Sequence, residues 1–132
     1  MRVLGVDLGE RLTGFAWFEE QVGFPFPLDP HPHLSSVPAD VALDVAAVAR
    51  TRGADVIVIG LPLLPSGLEG EQAEWVRAVV THLLSDNLVV QLLDERYTTP
   101  RHGEGQADGT AALEILRMFL ARTGRLSPEQ ER

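Results

Sequence analysis

The chain has 132 residues and a mass of 14.4 kDa, enough for one domain over residues 1–132 and too little for a second. Apolar residues at 45% and charged residues at 23% exclude an intrinsically disordered chain, and the lack of cysteine excludes disulfides, thiolate nucleophiles and cysteine–zinc sites. The net charge of −8 sets 11 basic residues, all arginine, against 19 acids; most of the deficit lies in residues 1–93, so a polyanionic partner would meet the last third of the chain.

Residues 2–6 form an apolar run that ends in Asp7-Leu8-Gly9. A short turn leads to a second strand over residues 13–18. The two are close enough to form a hairpin, with Gly9 expected at positive φ. Residues 22–33 carry Pro25, Pro27, Pro30 and Pro32. Proline cannot donate to a ladder, so this stretch holds only a short edge strand. His31 and His33 lie here and read as exposed loop histidines.

Residues 41–50 have a helical stripe of Val41, Val45 and Val48, with Pro38 before it and Gly53 after it. Residues 56–59 are an aliphatic run suited to a parallel strand buried on both faces. Gly60-Leu61-Pro62 ends that strand, and a loop runs to Gly70. Ala73, Val76, Val80, Leu83 and Leu84 mark an amphipathic helix to about Ser85. Residues 88–93 form another apolar strand ending in Asp94-Glu95-Arg96. The last helix spans residues 109–122, with Gly124 as its C′ residue.

This order predicts an α/β fold with a mixed five-stranded sheet and helices on both faces. Its early strands are antiparallel and its later ones parallel. Ligands of such sheets gather at the carboxyl ends of the parallel strands, which brings Asp7, Gly60-Leu61-Pro62 and Asp94-Glu95-Arg96 into one neighbourhood. Asp108 heads the apolar stripe of the last helix and so faces the sheet. Three converging acids repel one another unless a cation sits among them. Hard oxygen ligands suit Mg²⁺ or Mn²⁺. Two such ions about 4 Å apart would clamp a phosphodiester and activate water.

Ordinary structural roles stand beside these. Asp108 would serve equally as an N-cap, and Glu95 would pair with Arg96. Asp7 is harder to explain, because a buried carboxylate needs a partner. Arg11, Arg96, Thr98 and Thr99, near the acids in sequence, suit phosphate oxygens. Surface ion pairs and turn hydroxyls would use the same residues.

The motifs taken together resemble a known family. Gly5-Val6-Asp7-Leu8-Gly9-Glu10-Arg11-Leu12-Thr13-Gly14 is similar to its opening Asp-x-Gly-x-x-Arg-x-Gly motif. Gly60-Leu61-Pro62 is similar to its Gly-x-Pro loop. Asp94-Glu95-Arg96-Tyr97-Thr98-Thr99 matches its Asp-Glu-Arg-x-Thr-Thr motif. Asp108 with Ala111-Ala112 and Ile115-Leu116 resembles its closing helix. This is the YqgF/RuvX family of Holliday-junction-resolvase-like proteins, also described as pre-16S rRNA nucleases. The likeness runs from about residue 2 to residue 122.

The resemblance implies a three-layer RNase H-like fold and a cytoplasmic bacterial protein with no membrane association. It also implies metal-dependent phosphodiester cleavage with Mg²⁺ or Mn²⁺. Asp7, Glu95 and Asp108 would be the metal-binding catalytic acids. The substrate would be nucleic acid, either precursor rRNA or branched DNA, bound by a monomer or homodimer. Arg11, Arg96, Thr98, Thr99 and Arg101 would contact it. Only eight residues, 100–107, separate Thr99 from Asp108, fewer than the family carries there. The expected structure of that segment is an irregular loop with no helix longer than one turn.

Two other readings share some of these residues. One is a non-catalytic member that binds RNA or a ribosome-assembly or transcription partner. The other is an ATP-binding module of the actin/sugar-kinase type, whose Asp-x-Gly-x-x-x-Thr turn is similar to Asp7 through Thr13.

Overall fold

The computed structural model describes residues 1–95 and 110–126. Its elements, in chain order, are β1 (Arg2–Leu8), β2 (Leu12–Glu19), β3 (Phe26–Pro32), α1 (Pro38–Arg52), β4 (Val56–Leu61), α2 (Glu71–Ser85), β5 (Val90–Asp94) and α3 (Thr110–Arg122). The five strands form one sheet in the order β3-β2-β1-β4-β5. β1, β2 and β3 pair antiparallel, whereas β1–β4 and β4–β5 are parallel. This is the mixed sheet expected from the order of the elements. Among the described residues, no helix is long and apolar enough to cross a membrane.

The strand sequences explain the layers. β1 is apolar at successive positions, so its alternating side chains feed both faces. Leu4, Val6 and Leu8 join Ile57, Ile59 and Leu61 of β4 beneath α1 and α2. Val3 joins Val56 and Val58 of β4 and Leu93 of β5 beneath Ala112, Ile115 and Leu116 of α3. The helix boundaries follow local chemistry. Proline opens α1, and Gly53 closes it at φ 69°, in the left-handed region. Gly124, just beyond α3, has φ 76°.

Three expectations need correction. Gly9 does not adopt positive φ. Its N–H donates to the Leu12 carbonyl at 3.0 Å, closing the turn between β1 and β2. A Cβ there would stand 2.9 Å from that same oxygen, so the turn needs glycine for close approach rather than for handedness. The edge strand β3 is seven residues long. A register shift between Thr13 and Phe15 in its pairing with β2 accommodates it.

His31 and His33, finally, are half-buried rather than free loop residues. His31 Nδ1 lies 3.0 Å from the Asp44 carboxylate of α1. His33 Nε2 lies 2.8 Å from the hydroxyl of Thr13, which is wholly buried. Both histidines tie the edge strand and its outgoing loop to the α1 side.

Candidate active site

β1, β4 and β5 run parallel, so their carboxyl ends share one edge of the sheet. Asp7 is the penultimate residue of β1. Gly14 of β2 stands directly opposite it on one side. On the other side the β1–β4 register, continued by one residue past Val6–Ile59, brings Gly60 alongside. The half-buried aspartate is therefore flanked by glycine on both neighbouring strands. Neither neighbour has a side chain to cover it.

Asp7 shares its face with Val3 and Gly5, the face covered by α3. That helix sits close. A Cβ on Gly5 would lie 2.9 Å from Leu116 Cβ and 3.0 Å from the Ala112 carbonyl. Beyond the far end of α3, Arg125 approaches Glu20 at 3.6 Å, and Glu20 also holds the Met1 ammonium at 2.7 Å. The helix thus runs antiparallel to β1, and its first turn points toward the Asp7 end.

Glu95 follows β5. Its N–H donates to the Leu61 carbonyl at 3.1 Å, extending the β4–β5 ladder. It lies two residues beyond Leu93, which faces α3, so the Glu95 side chain also emerges on that face. There it turns inward across β4. A methyl group on Gly60 would overlap the Glu95 carboxylate outright, and would stand 2.7 Å from Glu95 Cγ. The space above Gly60 is filled by the glutamate head, one strand spacing, roughly 5 Å, from the Asp7 strand. Of the adjacent acids, Asp94 is exposed in register with Leu61, and Glu95 is the one directed toward Asp7.

Arg11 is exposed in the turn between β1 and β2, at the same edge. Its carbonyl accepts from the His33 N–H at 2.8 Å, which fixes the turn. On the opposite face, Gln72 at the start of α2 donates to the Leu8 carbonyl at 3.2 Å and anchors the end of β1. Asp108, Arg96, Thr98, Thr99 and Arg101, and the whole 100–107 segment, lie outside the described residues. Among the described residues, no group of three or more His, Cys, Asp or Glu side chains could hold a metal ion.

The donors brought together are two carboxylates, hard oxygen ligands of the kind Mg²⁺ and Mn²⁺ take. The donor set fits such an ion in chemistry, with further ligands to come from outside the pair.

The ATP-module alternative fares less well. Its turn needs the threonine hydroxyl free to meet phosphate. Thr13 instead points into the α1–α2 core side with Phe15 and is wholly buried against His33. Two features of this edge escaped the sequence. Gly60 reads only as a strand terminator until the register shows what lies over it. The Leu63–Glu69 stretch reads only as loop, although Leu-Pro-Ser-Gly-Leu is a signal for a short hairpin.

The RuvX family, described as Holliday junction resolvase, matches residues 1–122. A relative from Salinibacter ruber, provisionally named a pre-16S rRNA nuclease, is 35% identical over 93% of this chain and 94% of its own. Ribonuclease YqgF of Deinococcus radiodurans is 32% identical over 91% of this chain and 88% of its own. Among solved structures, Thermus thermophilus RuvC superposes with a TM-score of 0.60 at 12% identity, covering 95% of this chain and 98% of that one. That likeness carries the RNase H-like fold alone. The family match spans nearly the whole length, the relatives cover about nine-tenths of it, and the sheet order is that of the resolvase fold: the chain belongs to the RuvX/YqgF family of Holliday-junction-resolvase-like nucleases.

Proposed function

We propose that this protein is a metal-dependent nuclease that hydrolyses phosphodiester bonds in structured nucleic acid, with precursor 16S rRNA as its substrate in the cytoplasm. The observation that carries the reading is the Glu95 carboxylate laid across Gly60 toward Asp7. The names of the relatives from Salinibacter and Deinococcus favour RNA over branched DNA.

Asp7 and Glu95 would hold the cation, with Asp108 as third ligand, supplied from the segment just before α3. Bound there, Mg²⁺ or Mn²⁺ supplies Lewis acidity toward the phosphate and a water of lowered pKa. The chain's own residues supply the geometry. Gly14 puts no side chain beside Asp7, and Gly60 cedes its side of the aspartate to the Glu95 carboxylate, which would let the two acids share one ion. The Glu95 N–H bond to Leu61 fixes where the glutamate side chain leaves the backbone. Arg11, on a turn closed by two backbone bonds, can pair with a phosphate flanking the scissile one.

The experiment is cleavage of a precursor 16S rRNA fragment in Mn²⁺ by the wild type and by Asp7→Asn. Asparagine keeps the shape and removes the charge. The expected variant melts within a few degrees of the wild type and cuts below a few per cent of its rate. A folded variant that cuts at the wild-type rate overturns the assignment. Faster cleavage of a four-way DNA junction than of the RNA would transfer the activity to branched DNA. Tight RNA binding without cleavage by the wild type would favour the non-catalytic alternative.

A further inference from the structure

The loop after β4 is a built object. Leu63 and Glu69 form an antiparallel bridge. Inside it the Leu64 N–H donates to the Leu68 carbonyl at 2.9 Å, and the Gly67 N–H donates to the Leu64 carbonyl at 2.8 Å. Gly67 takes φ 90°. Pro65 follows Leu64, and Ser66 Oγ accepts from the Leu68 N–H at 3.3 Å. This is the three-residue hairpin in which a turn is followed by a glycine bulge. Glu69 is clamped by two bonds of 2.7 Å from Arg77 of α2.

The hairpin sorts its leucines. Leu63 turns inward and packs on the core beneath α1 and α2. Leu64 and Leu68 pair across the ribbon, so both side chains leave it on one side. They are 48% and 67% exposed. Leu64 leans back toward the root of the ribbon, its Cδ2 3.3 Å from where a Cβ on Gly70 would stand, and Leu68 is the more exposed of the two.

Both roots of the ribbon are tied to the candidate site. It begins two residues after Leu61, whose carbonyl receives the Glu95 N–H, and it ends at Gly70. Gln72, two residues on, donates to the carbonyl of Leu8, the neighbour of Asp7. Both roots therefore stand at the carboxyl edge of the sheet, beside the strand ends that carry Asp7 and Glu95. The bases are the apolar part of a nucleic acid, and a leucine pair beside a phosphate site can meet them only if they leave the stack.

We propose that the Leu64–Leu68 hairpin is an apolar wedge that seats against an unstacked base next to the scissile phosphate, and so selects structured substrate at a junction or helix end. The proposal rests on the nuclease reading above and adds the part of the substrate that is recognised.

The test uses an RNA helix-junction fragment with 2-aminopurine beside the cleavage site, whose fluorescence rises on unstacking. Wild type and Leu64→Ser/Leu68→Ser are compared, each also in an Asp7→Asn background so that no cutting intervenes. The wild type should raise the fluorescence severalfold. The double variant should abolish the rise, bind this RNA about tenfold more weakly and lose more on it than on an unstructured strand. Its melting temperature should fall by no more than a few degrees, because Leu68 is exposed and Leu64 half-exposed. An equal rise with the double variant, an equal loss on both RNAs, or no response from the wild type overturns the wedge. So does a large fall in melting temperature with binding intact, since the pair would then pack against the protein itself. A wild type that raises fluorescence but cleaves nothing leaves the wedge standing and removes the nuclease reading instead.

Discussion

Gly60→Ala is the sharpest perturbation this site offers. The backbone at residue 60 does not need glycine for its conformation, since its φ is not positive. Alanine in a strand costs little and restricts the unfolded chain, so stability should change by less than about 1 kcal/mol. The new methyl group, however, occupies the space of the Glu95 carboxylate. Non-bonded carbon and oxygen atoms keep about 3.5 Å apart, so the glutamate head must withdraw by about 1 Å or more. The head is the far end of a flexible side chain and can move at little cost. Its displacement is therefore a loss of position and not of fold.

A misplacement of about 1 Å costs on the order of 100-fold in rate, or about 2.7 kcal/mol of transition-state stabilisation. The assay is RNA cleavage in Mn²⁺ beside a thermal melt. The expected result is a rate near one per cent at an unchanged melting temperature. A double-mutant cycle sharpens it. In a Glu95→Gln background Gly60→Ala should have almost no further effect, because the residue it displaces has already lost its charge. A folded Gly60→Ala protein that cuts within threefold of the wild type refutes the reasoning, and so does full additivity with Glu95→Gln.

The remaining predictions concern the frame and the substrate. Gly5→Ala should destabilise the fold by about 1–3 kcal/mol, because its Cβ meets the Ala112 carbonyl and Leu116 Cβ of α3, and backbone cannot swing away; an unchanged melting temperature would sink it. Hydrogen bonding from Arg77 holds the Glu69 carboxyl below the usual carboxylate range, so its support of the hairpin is full above the unfolded pKa and fades as pH falls through the lowered folded value; Arg77→Gln should return the Glu69 titration to higher pH in a carboxyl-carbon NMR experiment. Nucleic-acid binding by a chain of net charge −8 should be weak and salt-dependent, and Arg11→Ala should flatten the log K against log salt slope by about one unit; an unchanged slope removes Arg11 from the phosphate contacts.

Some of this architecture was legible in the chain and some was not, for physical reasons. Apolar runs at 2–6 and 56–59 announced strands, and the second announced burial on both faces, because burial on two sides leaves no polar alternation to misread. The convergence of Asp7 with Asp94 and Glu95 followed from parallel strands sharing a carboxyl edge. Spacing alone did not separate Glu95 from Asp94, a choice that only the family resemblance implied, since adjacent residues face opposite ways and the register with Leu61 and Leu93 is what distinguishes them. His31 and His33 looked like loop residues because their partners, Asp44 and Thr13, lie 13 and 20 positions away.

The glycines carried a signal that composition alone hides. Gly5, Gly14 and Gly60 lie inside strands, where glycine is depleted and often marks close approach by another backbone or a ligand. All three fall on the α3 face around Asp7. Gly5 lets the helix settle onto the sheet, so that the chain before it comes down beside the aspartate. Gly14 and Gly60 put no side chain of their own beside the aspartate, and Gly60 gives its space to Glu95. A strand can expose a carboxylate to a phosphate only if its neighbours contribute no side chains in that row. That requirement makes the three glycines part of the same device as the acids they surround.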